Sequence, residues 1–174
     1  MLVSRGRNAA IRVLLEPDEV DLLRVLLSDL REVIAEDLDA HPEVAERLFP
    51  SASRDDPKVA AAFRKMAYSQ LVTTKLEAID KVLRTLDSRN KESELSITLD
   101  QEEANVWLRL VNDLRILLGC EIGVSDDDVF GPPDSPGSIV YRWLTALQGQ
   151  LLYALAPKLL DYLDGLDLPS LAAE

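Results

Sequence analysis

A chain of 174 residues with 47% hydrophobic side chains can bury one domain-sized core. Its longest apolar runs, such as Leu151 to Ala156, fall far short of the roughly 20 residues that cross a bilayer, so no membrane role and a cytoplasmic location are expected. A formal net charge of −12, from 19 basic and 31 acidic residues, sets an overall field that repels nucleic-acid phosphates and anionic lipid.

Residues 1 to 8 read as flexible, and Arg5, Arg7 and Arg12, flanking Gly6, are the one concentrated basic stretch. Ile11, Val13 and Leu15 alternate with Arg12 and Leu14, the period of a half-buried strand. A helix follows at once. Glu16 takes the N-cap position, Pro17 suits the first helical position because its missing N–H has no partner there, and Asp18 and Glu19 favour the positive end of the dipole. Val20, Leu23, Leu27, Leu30 and Ile34 form its apolar stripe.

Asp37 to Asp56 reads as loop, with a short helix over Glu43 to Leu48. The sole histidine, His41, precedes a proline in polar company and has no visible catalytic partner. From Pro57 a long helix runs to about Leu86. Leu95, Ile97 and Leu99 then alternate with Ser96 and Thr98 as a second strand. Asp100 caps the next helix with Glu103 in the capping-box position. Its stripe is Ala104, Trp107, Leu108, Val111, Leu114 and Leu118, and Gly119 is the expected stop. After a loop to Gly137, Ser138 to Ala156 forms a further helix, with Gly149 placed for close helix contact and a shorter continuation from Pro157 to near Gly165.

The first strand and helix repeat. An offset of 84 superposes Leu15 on Leu99, Glu19 on Glu103 and Asp29-Leu30-Arg31 on Asp113-Leu114-Arg115, while an offset of 78 matches Phe63-Arg64, Met66 and Gln70 to Tyr141-Arg142, Leu144 and Gln148. The expected fold is therefore mainly α: an irregular helical bundle from two pseudo-symmetric strand-helix-loop-helix halves, joined by a small two-stranded ribbon from residues near 10–15 and 95–99. One domain over 1–174 is expected, with halves at about 9–90 and 91–165 and a flexible tail over 166–174.

No nucleotide-binding glycine loop, nucleophile elbow or metalloprotease motif is present, so neither catalytic residues nor a cofactor are assigned. Asp126-Asp127-Asp128 lacks the alternating ligands of a calcium loop, and no metal site is assigned. The one cysteine, Cys120, follows a helix C-terminus beside Glu121, surroundings that disfavour thiolate, and within this sequence it has no cysteine to pair with. Asn105, Trp107, Arg109 and Asn112 are the interaction candidates: Asn105, Trp107 and Asn112 because the other half has no counterpart of them, and Arg109 as a polar residue beside the core stripe. Each has a plainer reading: Trp107 and Trp143 sit at core spacing, Asn112 suits a satisfied polar group, and Arg109 to Asp113 is an i,i+4 pair.

At Leu99 to Gly119, through Ala104-Asn105, Trp107, Val111-Asn112-Asp113-Leu114-Arg115 and Gly119, and again over Tyr141 to Gln148, the chain resembles an actinobacterial family. That family was catalogued as a domain of unknown function, and some members are labelled AosR-like oxidative-stress transcriptional regulators. The opening Leu15-x-Pro17-x-Glu19 is similar as well. The resemblance implies a soluble regulator acting with the transcription machinery, through a sigma factor or another protein partner, and it carries no catalytic residues. Two other readings stand beside it: a DNA-binding factor using Arg5, Arg7 and Arg12, and an enzyme without a recognisable motif. A homo-oligomer is expected where apolar surface exceeds what the chain can bury.

Overall fold

The computed structural model describes residues 1–36, 38–50, 57–87, 93–124 and 135–157, with residues 7 and 57–67 described by backbone alone. In chain order the elements are β1 (Leu2–Arg5), β2 (Ile11–Leu15), α1 (Pro17–Glu36), α2 (Pro42–Leu48), α3 (Pro57–Asp87), β3 (Leu95–Leu99), α4 (Gln101–Glu121) and α5 (Pro136–Leu155). Short 3-10 turns occupy Arg7–Ala9 and Leu38–Ala40. The protein is mainly helical, with one antiparallel sheet in the order β1-β2-β3.

The ribbon expected from the two alternating segments is present as β2 paired with β3. Its register, Ile11 with Leu99, Val13 with Ile97 and Leu15 with Leu95, is the one a two-fold axis between Val13 and Ile97 requires, since each residue's partner at the centre lies 84 positions away. Both helix starts obey the same offset, Pro17 and Gln101. The caps agree too: the Glu19 carboxylate accepts from the Glu16 N–H at 2.9 Å, as Glu103 accepts from Asp100 at 3.3 Å. Strand periodicity puts Ile11, Val13, Leu15, Leu95, Ile97 and Leu99 on one face, and all six are buried. Against that face pack the stripes of α1 and α4, the Tyr141, Leu144, Leu147, Leu151 and Ala154 side of α5, and Ile79, Val82 and Leu86 near the end of α3.

Four readings need correction. Leu2–Arg5 is not flexible but forms a third strand, because α5 supplies its missing partners: Gln150 accepts from the Val3 N–H at 2.8 Å and Arg5 donates to the Ala154 carbonyl at 2.9 Å. Gly119 does not stop its helix. It is buried under the Tyr141 ring, the helix runs on to Glu121, and Gly123 at φ +70° takes the left-handed position after the cap. Gly149 faces open space rather than a neighbouring helix. The 78-residue match also fails in role, since Gln70 is exposed whereas Gln148 is half-buried and hydrogen-bonded. The buried trio of α3, Ile79, Val82 and Leu86, is instead spaced like Leu144, Leu147 and Leu151, an offset of 65. The expected continuation beyond Pro157, the tail and the Asp126-Asp127-Asp128 turn lie outside the described residues.

Candidate interaction surface

Helix α4 carries the four interaction candidates, and burial separates them. Trp107 is 4% exposed, packed among Leu23, Leu27 and Val82, and has no surface to offer a partner. Asn105 is half-buried and turns its amide back to the Gln101 carbonyl at 2.8 Å, one helical turn earlier. Arg109 and Asn112 are exposed. Asn112 accepts from Gln148 of α5 at 3.2 Å, and Gln148 in turn accepts from Arg115. Arg115 also donates to the Tyr141 hydroxyl at 3.1 Å and lies over that ring at 5.0 Å. The amide, guanidinium and phenol thus lock α4 to α5 along a polar seam.

Asp113 is a buried charge of α4 that faces α3, not this seam. Its expected partner, Arg109, is displaced by Lys75 of α3, whose ammonium reaches the carboxylate at 2.5 Å. Burial pushes the Asp113 pKa above the ordinary aspartate range, an effect that Lys75, and Arg109 at longer range, only partly offset. Lys75 also sits 5.7 Å over the Phe49 ring, which meets the Tyr68 ring at 5.1 Å and 56°. These aromatics line an open groove of about 490 Å³ together with Leu38, Pro42, Ala45, Asp39 and Glu46. Its floor is apolar and its rim acidic. Phe49, Tyr68 and Lys75 escaped sequence reading because they meet only when the residue capping α2 is brought to α3 in the fold; the one local hint was the apolar Leu48-Phe49 beside a proline.

Arg5 and Arg12 do not make a common patch. Arg5 pairs with Ile11 and Arg12 with Ser4, so strand alternation sends the two side chains to opposite faces of the sheet. Arg5 also holds the Ala154 carbonyl at the C-terminal end of α5, while Arg12 is exposed; the Arg7 side chain lies outside the description. Trp143 donates from its indole to Glu19 at 3.0 Å. Cys120 is half-buried, and burial followed by the nearby Glu43 raises its thiol pKa. Among the described residues no three His, Cys, Asp or Glu side chains are grouped to hold a metal ion. No helix among them is long and apolar enough to cross a membrane.

What these elements define is a small helical protein whose two strand-helix repeats share a sheet, with an aromatic groove and a polar seam as its candidate contacts. The chain belongs to the family described as domain of unknown function DUF2017, whose model matches residues 2–155. A provisionally named oxidative stress regulator AosR of Mycobacterium leprae is 33% identical over 118 residues, 66% of this chain and 52% of the relative. The oxidative stress regulators AosR of Mycobacterium bovis and Mycobacterium tuberculosis are each 30% identical over 113 residues, 61% of this chain and 49% of the relative. The chain therefore spans about half the length of the curated relatives it matches. No solved structure matches it.

Proposed function

We propose that this chain is a non-enzymatic regulatory protein of the oxidative stress response, cytoplasmic, and working through a protein partner in the transcription machinery such as a sigma factor. The observation that carries the reading is the similarity, at 30–33% identity, to proteins named oxidative stress regulators. Two features support a protein partner over DNA. The net charge of −12 opposes phosphate, and Arg5 and Arg12 leave the sheet on opposite faces. The open groove over Phe49 and Tyr68 offers the apolar floor that a partner side chain would bury.

The test is photo-crosslinking in the host, with the reactive amino acid placed at exposed Arg109 or Asn112, before and after peroxide. A discrete adduct containing a transcription component is expected. No adduct under either condition, or loss of the gene without effect on the peroxide response, would defeat the reading. Light scattering checks the proposed homo-oligomer, for which a monomer mass is the contrary result.

A further inference from the structure

The sheet has two edges, and they are treated differently. The Val3 N–H points away from β2 to Gln150, and the Gly6 N–H returns to the Ala10 carbonyl at 2.7 Å. In an antiparallel ladder residues alternate between facing the neighbour and facing away. Val3 opposite Val13 is therefore a non-hydrogen-bonded pair, Val13 bonds to Ile97, and the backbone groups of Ser96 and Thr98 point outward from β3. Ser96 and Thr98 are exposed, and no described side chain reaches their amides. At the other edge α5 covers β1.

The pseudo-dyad explains the asymmetry. It exchanges β2 with β3, so the place that β1 fills beside β2 has an equivalent on the far side of β3. The residues 84 positions after Leu2 and Val3 are Leu86 and Asp87, the last turn of α3, so that half of the chain provides helix where the first provides strand. Ser96 and Thr98 turn two N–H donors and two carbonyl acceptors outward, spaced for one more antiparallel strand, and no described strand pairs with those groups.

Charge selects the occupant. Glu94 and Asp100 flank the edge on the same exposed face as Ser96 and Thr98, with one Asp100 carboxylate oxygen accepting from the Glu103 N–H at 2.8 Å and exposed Arg12 standing opposite Thr98 on β2. Glu16, opposite Glu94 in the register, has its pKa raised by the hydrogen bond to Glu94 and by that group's charge, a crowding of carboxyls that a cation relieves. A second copy adding β3 to β3 about Ile97 would set Glu94 against Asp100 at both ends, and each copy carries −12. Like charges directly opposite destabilise a strand pair. We propose that the outer edge of β3 is a strand-addition site for an extended partner segment carrying Lys or Arg six residues apart, facing Glu94 and Asp100, with small or β-branched residues between. The proposal rests on the reading that the chain works through a protein partner and names the chemistry of that partner.

The probe is the end-blocked heptapeptide Lys-Val-Thr-Val-Thr-Val-Lys, followed by NMR on the whole chain at about millimolar peptide. Saturable binding is expected, with slowed exchange of the Ser96 and Thr98 amides. Affinity should fall about tenfold or more when both lysines become Glu. It should be lost when the peptide residue opposite Thr98 is N-methylated, a control that leaves the protein unaltered. Thr98→Pro removes only an outward N–H and should abolish binding while the fold is kept. No saturable binding, or binding indifferent to N-methylation, would overturn the proposal. So would a dimer dissolved by Thr98→Pro, which assigns the edge to a second copy. Failure here uses purified protein and leaves the cross-linking result in the host standing on its own.

Discussion

Asp113 shows how one residue can be costly and still hold the molecule together. The residue is 6% exposed with one ammonium beside its carboxylate, and its raised pKa says that desolvation outweighs the pair. Removing Lys75 while keeping its bulk, Lys75→Met, leaves that charge uncompensated. The expected loss is about 2 kcal/mol at neutral pH, the low side for a buried pair because Lys75 keeps 23% side-chain exposure. The loss should shrink on acidification, once Asp113 takes a proton and no longer needs the ammonium. Asp113→Asn reports the same group from the other side. Between the ordinary aspartate range and the raised native value the folded state holds a proton that the unfolded state has lost, so the wild type loses stability relative to Asp113→Asn as pH rises through that window, and the difference is flat above it. Urea midpoints of the three proteins across acid to neutral pH check both expectations, and a slope of opposite sign refutes them. Cys120 is a simpler case: with its thiol pKa raised by burial and by Glu43, its reaction with a disulfide reagent at neutral pH should be slower than that of a free thiol and accelerate as pH rises past the ordinary value. The family's oxidative-stress label is therefore not supported by an activated thiol at this position.

Elements whose signals are local could be read in advance, and those completed by distant groups could not. Leu95, Ile97 and Leu99 alternate cleanly, and Asp100 with Glu103 closes a complete capping box, so β3 and the start of α4 were legible. Leu2–Arg5 has no such pattern, since only Val3 is even half-buried there. It becomes a strand because Gln150 and the end of α5, almost the whole chain away in sequence, take up Val3 and Arg5. Glycines were misread for the same reason, because a glycine's role depends on what stands opposite its missing side chain. A Cβ on Gly149 meets nothing within 4 Å, whereas one on Gly137 lands 2.5 Å from the Ile122 side chain. Gly149→Ala should therefore stabilise the protein by about 0.5–1 kcal/mol through helix propensity alone. Gly137→Ala should destabilise it, since a branched side chain packed behind it must shift. Paired denaturant melts separate the two, and equal shifts would mean that packing at Gly137 yields freely.

At the scale of the whole molecule the two halves are interlocked, not merely adjacent. β3 has its described strand partner, β2, in the other half, and β2 keeps only β1 when β3 is taken away. Glu19 of the first half holds Trp143 of the second at 3.0 Å, and its repeat mate Glu103 holds Lys81 of the first at 3.1 Å. Lys75 with Asp113 adds a third bond in the same sense. The internal repeat was visible as an offset of 84 between like residues, but the alignment of the second helices was not, because α3 and α5 differ in length and their buried faces align at another offset. Interlocking has a direct consequence. Residues 1–90 and 91–174, made separately, should each lack cooperative unfolding, since each would expose the strand face and the helix stripes that the other covers. Mixed, they should recover helical circular dichroism as a one-to-one complex that sediments with the mass of the intact chain. Either fragment folding cooperatively by itself would show that its own helices suffice to bury its strand, and the shared sheet would then be a contact between two autonomous units.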